Sequence, residues 1–394
     1  MLSPRKALAL ACTWGVVAVA LHGPVPATRC GCGAATLAPL RGATWAGWAT
    51  RPPLRPAAAA VRRGQNLRRQ APGMSGYEYR ADDELKAIVQ RKQYEMNAFR
   101  KQHAAADDDL QMRLSYAMGE SSFVLRQALR RNKGQEDKHQ LTVIVDIKRR
   151  SPTAAGMRNE VSRFSDAAVV AEKMHDAGAG VVMINTDEVA YNGRMDELGS
   201  VSRWSRRLRE AGEPAPPVVM KDIVIHPLQL AQAAEMGATG AVVMACVVGP
   251  ALEDMLDVAT TMGLELIVEV HTPAECEKAL EFGAGVIVVN QWDRITGKLH
   301  PKQAMGMHPM IPPTVLTIAA GGIATPAHAF QLADQGYDAV VLGRALAGQG
   351  QSSGKATKAG ENVSNLIREI SSRQGLPRSM LGMGLRAEDV HKAL

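Results

Sequence analysis

LTVIVDIK, from Leu141 to Lys148, is an unbroken apolar run that ends in charge. Four more runs have the same form: PPVVMK (Pro216 to Lys221), LIVE (Leu266 to Glu269), VIVVN (Val286 to Asn290) and TVLTIAAGG (Thr314 to Gly322). Near-continuous hydrophobicity is the mark of strands buried on both faces, as in a parallel sheet covered by helices. In a closed parallel barrel the groups that do chemistry gather where such strands end. Lys148, Lys221, Glu269, Asn290 and the Gly321-Gly322 pair therefore read as parts of one site built from many strand ends.

A repeat supports the same architecture. HDAGAGVVMI, AEMGATGAVVM, EFGAGVIVV and ADQGYDAVVL each run from a helix-like end through a Gly into a β-rich segment. Gly178, Gly237, Gly283 and Gly336 are placed to close helices in the left-handed conformation, which makes each segment half of a β/α unit. Candidate strand ends fall near Lys148, Thr186, Lys221, Cys246, Glu269, Asn290, Gly321 and Gly343, at intervals of 38, 35, 25, 23, 21, 31 and 22 residues. Each interval holds one helix and one strand. The fold class is thus α/β, a TIM (β/α)8 barrel over residues 140–373, with an open doubly wound sheet as the rival.

Before it, residues 78–139 read as a helical extension. DDELKAIVQRKQYEMNAFRKQH carries one apolar face (Leu85, Ile88, Val89, Met96, Phe99), and SSFVLRQAL (Ser121 to Leu129) has Ser at a capping position before another. Both are expected to lie across one end of the barrel, as a plug or as a roof over the substrate. Residues 1–77 hold ten Lys or Arg and no acid. The rest of the chain has 36 basic and 39 acidic groups, a net of −3, so the formal +7 belongs to the leader and gives no basic face for nucleic acid.

Within that leader, Arg5 and Lys6 precede an apolar stretch (Ala7 to Leu21) too short for a membrane span, followed by an Ala-, Pro- and Arg-rich segment. A signal followed by a transit region reads as plastid targeting, with mitochondrial import or secretion as alternatives and no stable membrane association after processing. GQSSGKATKAG (Gly350 to Gly360) reads as a flexible insertion, and residues 374–394 as a tail without assigned chemistry.

Outside the leader only Cys246 and Cys276 remain. Cys276 falls on a core-facing helical position and Cys246 lines the site mouth. His271 is either a proton carrier or an ordinary loop residue. No His or Cys pair has metal-ligand spacing, and no GxGxxG follows a strand, so neither metal nor cofactor is expected. The Gly-rich ends of strands 7 and 8 (Gly321, Gly322 and Gly343, with Arg344 adding a cation) have the character of a phosphate cradle.

From about Asp82 to Gly348 the chain resembles the indole-3-glycerol phosphate synthase family. DIKRRSPT, TDEVAYNG, VMKDIVIHPLQL, LIVEVH and IVVNQWDR are similar, in order and spacing, to that family's segments at strands 1, 2, 3, 5 and 6. The resemblance implies a carboxy-lyase of tryptophan biosynthesis that closes an anthranilate-linked deoxyribulose phosphate into an indole. It implies Lys221 as general acid, Glu269 as base and Lys148 as phosphate contact or second acid. Asp146 and Asn290 would orient hydroxyls, and Ser151 would join the phosphate contacts. The partner implied is a small sugar phosphate; the sequence names no protein partner among other enzymes of the pathway.

Three departures stand out. Asp146 replaces the family's Glu, Ala320 replaces a Glu on strand 7, and Trp292 replaces the arginine that meets the anthranilate carboxylate. Ile223 also stands where Phe is usual. Retained Lys221, Glu269 and Asn290 favour an enzyme; the substitutions favour the second reading, an inactive barrel that binds a sugar phosphate or a protein partner.

Overall fold

The computed structural model describes residues 83–116, 123–130, 140–150, 164, 166–294, 297–343 and 356–372. The leader, the tail, Ser151 and Arg344 lie outside these residues. Eight parallel strands close in sequence order into a barrel. They are β1 (Thr142–Ile147), β2 (Val181–Asn185), β3 (Val218–Lys221), β4 (Gly240–Met244), β5 (Glu265–Val270), β6 (Val286–Asn290), β7 (Leu316–Ala320) and β8 (Ala339–Leu342).

Because strand side chains alternate, each apolar run serves two cores at once. Ile144, Val181, Met183, Val219, Val242, Ile267, Val288, Ile318 and Val341 fill the barrel interior. Their neighbours Val143, Val145, Val182, Ile184, Met220, Val243, Val268, Val289 and Val340 face the surrounding helices. The same alternation carries Asp146, Asn185, Lys221, Glu269, Asn290 and Ala320 to the inside at the C-terminal rim. The four glycines of the repeat all take positive φ, as their helix-stop role requires.

The N-terminal extension does not lie across one end; it divides between two. Helix α1 (Asp83–Gln102) packs Leu85 and Val89 against Tyr191, Ile223 and Met244 beside the strand C-termini. Its Lys92 Nζ lies 2.6 Å from Asp187 Oδ2 and 3.0 Å from Asp222 Oδ1, with Arg91 adding a second contact to Asp187 at 2.9 Å. Helix α2 (Asp109–Ser115) is capped by Asp108 and ties Arg113 to Glu235 on the barrel's flank.

Helix α3 (Val124–Leu129) closes the opposite end, inserting the fully buried Leu125 and Leu129 among the interior residues. Burial of two leucines on this scale contributes about 3–6 kcal/mol. The expected Ser cap is not its N-cap. That position is Phe123, in left-handed conformation without a side-chain bond. The orphan N–H of Leu125 is instead accepted by Glu265 Oε2 at 2.7 Å, from the first residue of β5.

Candidate active site

The inward residues at the C-terminal rim form a charge cluster. Asp146 Oδ2 accepts from Lys148 Nζ at 3.0 Å and from Lys221 Nζ at 3.4 Å, and its other oxygen accepts from Asn185 Nδ2. Glu269 Oε2 lies 3.9 Å from Lys221 Nζ. Glu269 Oε1 accepts from Asn290 Nδ2 at 3.0 Å and from Arg294 Nε at 3.3 Å, and lies 3.2 Å from His271 Nε2. Lys221 thus bridges two carboxylates. Asp222, next to Lys221 in sequence, is taken up by Lys92 and by Thr186, whose hydroxyl donates to it at 2.6 Å.

Charge and burial set the protonation states. Burial acts to raise the Asp146 carboxyl, but Lys148 and Lys221 outweigh it and hold the group down to about 2. Burial, with Lys221 and Arg294 nearby, pulls the Lys148 ammonium below its usual value against the opposition of Asp146. Lys221 moves the other way: burial would lower it, yet Asp146 and Glu269 raise it. Lys148 is thus shifted toward neutrality and Lys221 away from it. Glu269, despite burial, is held well below the carboxylate range by Arg294 and Lys221.

Beside the cluster opens a cavity of about 350 Å³, lined by Asp146, Lys148, Lys221, Asn290, Trp292 and Arg294 together with Ala320, Gly321, Gly322 and Gly343. At Gly343 the rim is closed to any side chain: an added Cβ would stand 2.9 Å from Asp146 Oδ2 and 3.3 Å from Lys148 Nζ. The glycine ends of strands 7 and 8 thus line the same cavity as the two lysines of the cluster. Glu269 is not part of the wall. It is 1% exposed and stands behind Arg294.

Arg294 is the residue that sequence reading passed over. It follows β6 on a loop that folds back antiparallel, with Asp293 N–H donating to Lys298 O at 2.9 Å and His300 N–H to Gln291 O at 2.7 Å. Its guanidinium reaches the hydroxyl of Tyr191 at 2.5 Å as well as Glu269. Tyr191 ends the short helix α5 (Glu188–Tyr191), onto which Arg150 of the DIKRRSPT segment docks through Nε to Ala190 O at 3.0 Å. The replacement of an arginine by Trp292 therefore does not leave this side of the pocket without a cation.

Asn185 was also passed over. Alternation from Val181 and Met183 makes it, rather than Thr186, the inward end of β2. Cys276 is fully buried in the outer core, as its helical position indicated. Cys246 lies past the end of β4, in helix α8 (Ala245–Val248), and is outside the cavity wall.

The family model for indole-3-glycerol phosphate synthase matches residues 85–359. The chain belongs to that family. Among curated relatives, the indole-3-glycerol phosphate synthase of Opitutus terrae is 34% identical over 220 residues, covering 56% of this chain and 78% of that one. The synthase of Mycobacteroides abscessus is 33% identical over 215 residues, covering 54% and 74%. That of Mycobacterium leprae is 32% identical over 209 residues, covering 53% and 72%. The matched span holds the whole charge cluster and the cavity. The synthase family's strand 1 acid, shortened here to Asp146, still reaches both lysines.

Proposed function

We propose that this cavity carries out the synthase reaction, the decarboxylating closure of an anthranilate-linked deoxyribulose phosphate to indole-3-glycerol phosphate. The chain is a carboxy-lyase acting on a small phosphate substrate. The observation that carries the assignment is the Lys148-Asp146-Lys221 group, which lines one cavity with the glycine ends of strands 7 and 8 while Glu269 is buried beside Lys221.

The roles follow from charge. Lys221, kept protonated by two carboxylates, donates to the sugar carbonyl as the aromatic carbon attacks. Lys148, shifted toward neutrality, is the readier donor for the departing hydroxyl. Glu269 takes the proton released as the ring becomes aromatic. Its ion pair with Arg294 both covers it and weakens it as a base. A substrate carboxylate competes for the same guanidinium through a charge-assisted bond. Drawing Arg294 toward the substrate uncovers Glu269 and raises its basicity, so binding of the correct anion prepares the base. Asp146 fixes both lysines, Asn290 holds Glu269, and Gly321, Gly322 and Gly343 approach the phosphate, with Ser151 and Arg344 assigned to the same lobe.

Incubation of the purified protein with carboxyphenylaminodeoxyribulose phosphate, followed by indole fluorescence, tests this reading. Product formation is expected. Binding of the substrate without product would instead favour the inactive-barrel reading. The leader's composition supports delivery to a plastid. N-terminal sequencing of the native protein is expected to find a start between the Arg-rich segment and Asp82, and an intact Met1 chain in the cytosol would remove that proposal.

A further inference from the structure

Behind Glu269, on the side away from the cavity, stands a second group of side chains that the ring closure does not use. Cys246 lies in α8 after β4, His271 directly follows β5, and Glu275 is in the first turn of α10 (Pro273–Glu281). The pairing of Met244 with Glu269 in the barrel brings these segments together. One ligand atom from each, the Cys246 sulfur, a His271 ring nitrogen and a Glu275 carboxylate oxygen, lie within 4.8 Å of one another. We infer that Cys246, His271 and Glu275 form a binding site for a thiophilic divalent cation of the zinc type.

Donor chemistry, spacing, support and access all agree. A thiolate, an imidazole and a carboxylate suit zinc, whereas magnesium and calcium take oxygen donors alone. Bonds of about 2.0–2.1 Å at tetrahedral angles put nitrogen and oxygen ligands about 3.3 Å apart. His271 Nδ1 and Glu275 Oε2 are already 3.2 Å apart. The sulfur edge would be about 3.6 Å, so side-chain torsion has little to close.

Metal-bound histidines characteristically donate their second N–H to a carboxylate, and His271 Nε2 is 3.2 Å from Glu269 Oε1. Glu275 is fixed in turn by the Thr272 hydroxyl, which donates to Oε1 at 3.2 Å, and by the His271 N–H at 2.9 Å. His271 is buried, while Cys246 and Glu275 are partly exposed and leave an approach from solvent and a fourth position for water.

Coordination balances as an exchange of protons for the cation. The Cys246 thiol proton and the His271 Nδ1 proton pass to solvent, Glu275 binds as the carboxylate, and the Nε2 proton stays on the bond to Glu269.

The test is titration of the metal-stripped full-length protein with Co²⁺ as a spectroscopic probe, followed by displacement with Zn²⁺. The expected result is one equivalent of Co²⁺ with a thiolate charge-transfer band that is lost in Cys246→Ser, and about tenfold or weaker binding in Glu275→Gln. The leader cysteines Cys12, Cys30 and Cys32 are present in both proteins, so only the equivalent that depends on Cys246 counts. A band and stoichiometry unchanged in Cys246→Ser would overturn the site.

Discussion

Glu265 and Glu269 are the first and fifth residues of β5, both buried and both turned into the barrel, yet they live in opposite electrostatic worlds. At the N-terminal end Glu265 accepts the backbone N–H groups of Leu125 and Arg126, at 2.7 and 3.3 Å, and thereby starts the helix that plugs the barrel. Burial raises its carboxyl above the usual range, with those N–H groups opposing. At the C-terminal end Glu269 is surrounded by Lys221, Arg294 and His271 and is held well below that range. Burial is shared, so it cannot be what separates their roles. Cations do that: one carboxylate satisfies backbone, and the other is poised in a network with protons to move.

Substitutions at the two ends are expected to separate in the same way. The largest effect belongs to the rim. Lys221→Ala removes the donor that bridges Asp146 and Glu269, and kcat is expected to fall by about 10²–10⁴-fold while circular dichroism reports a retained fold. Near-normal turnover in that variant would strip Lys221 of its role as acid.

Arg294→Ala comes next. It forfeits a charge-assisted bond to the substrate carboxylate worth about 1.5–3 kcal/mol, so kcat/KM is expected to drop about ten- to a hundredfold. It also frees Glu269 of its guanidinium, so the acid limb of the kcat/KM profile should move to higher pH. A limb that stays put would show that Arg294 does not control the base.

At the other end, Glu265→Leu leaves the Leu125 N–H buried and unpaired. A loss of about 1–3 kcal/mol is expected in denaturant unfolding, with kcat unchanged. A turnover defect there would mean that the plug and the rim are coupled. The smallest effect is expected at Phe123, which holds φ 48° without being glycine. Relief of that strain in Phe123→Gly, offset by the loss of its ring over Arg126, should change stability by less than about 1 kcal/mol.

The barrel was legible because its strands are apolar on both faces and its helices stop at glycine. Lys221, Glu269 and Asn290 were legible for a related reason: each is the first polar inward residue after an apolar run, and Lys148 follows Asp146 by the same alternation. Asn185 obeys the same alternation, but the polar residue after it, Thr186, reads as the strand end and hides it. Arg294 follows no such rule. It lies four residues past Asn290 on a loop, and only the fold-back that pairs Trp292 with Leu299 turns it into the pocket.

The two halves of the N-terminal extension look alike in sequence because both carry an apolar helical face. What sends them to opposite ends is long-range, Lys92 to Asp187 and Asp222 for one and Leu125 to Glu265 for the other. The Cys246, His271 and Glu275 group is equally invisible in spacing, since adjacent strands of the closed barrel bring it together.

The most direct measurement is kcat for indole-3-glycerol phosphate formation by Glu269→Gln, taken beside Glu265→Gln under conditions where both proteins are fully folded. The expected result is a fall of about 10²–10⁴-fold for Glu269→Gln and wild-type turnover for Glu265→Gln, although both changes replace a buried carboxylate on one strand by its neutral isostere. Comparable turnover in the two variants would contradict the assignment of chemistry to the rim cluster.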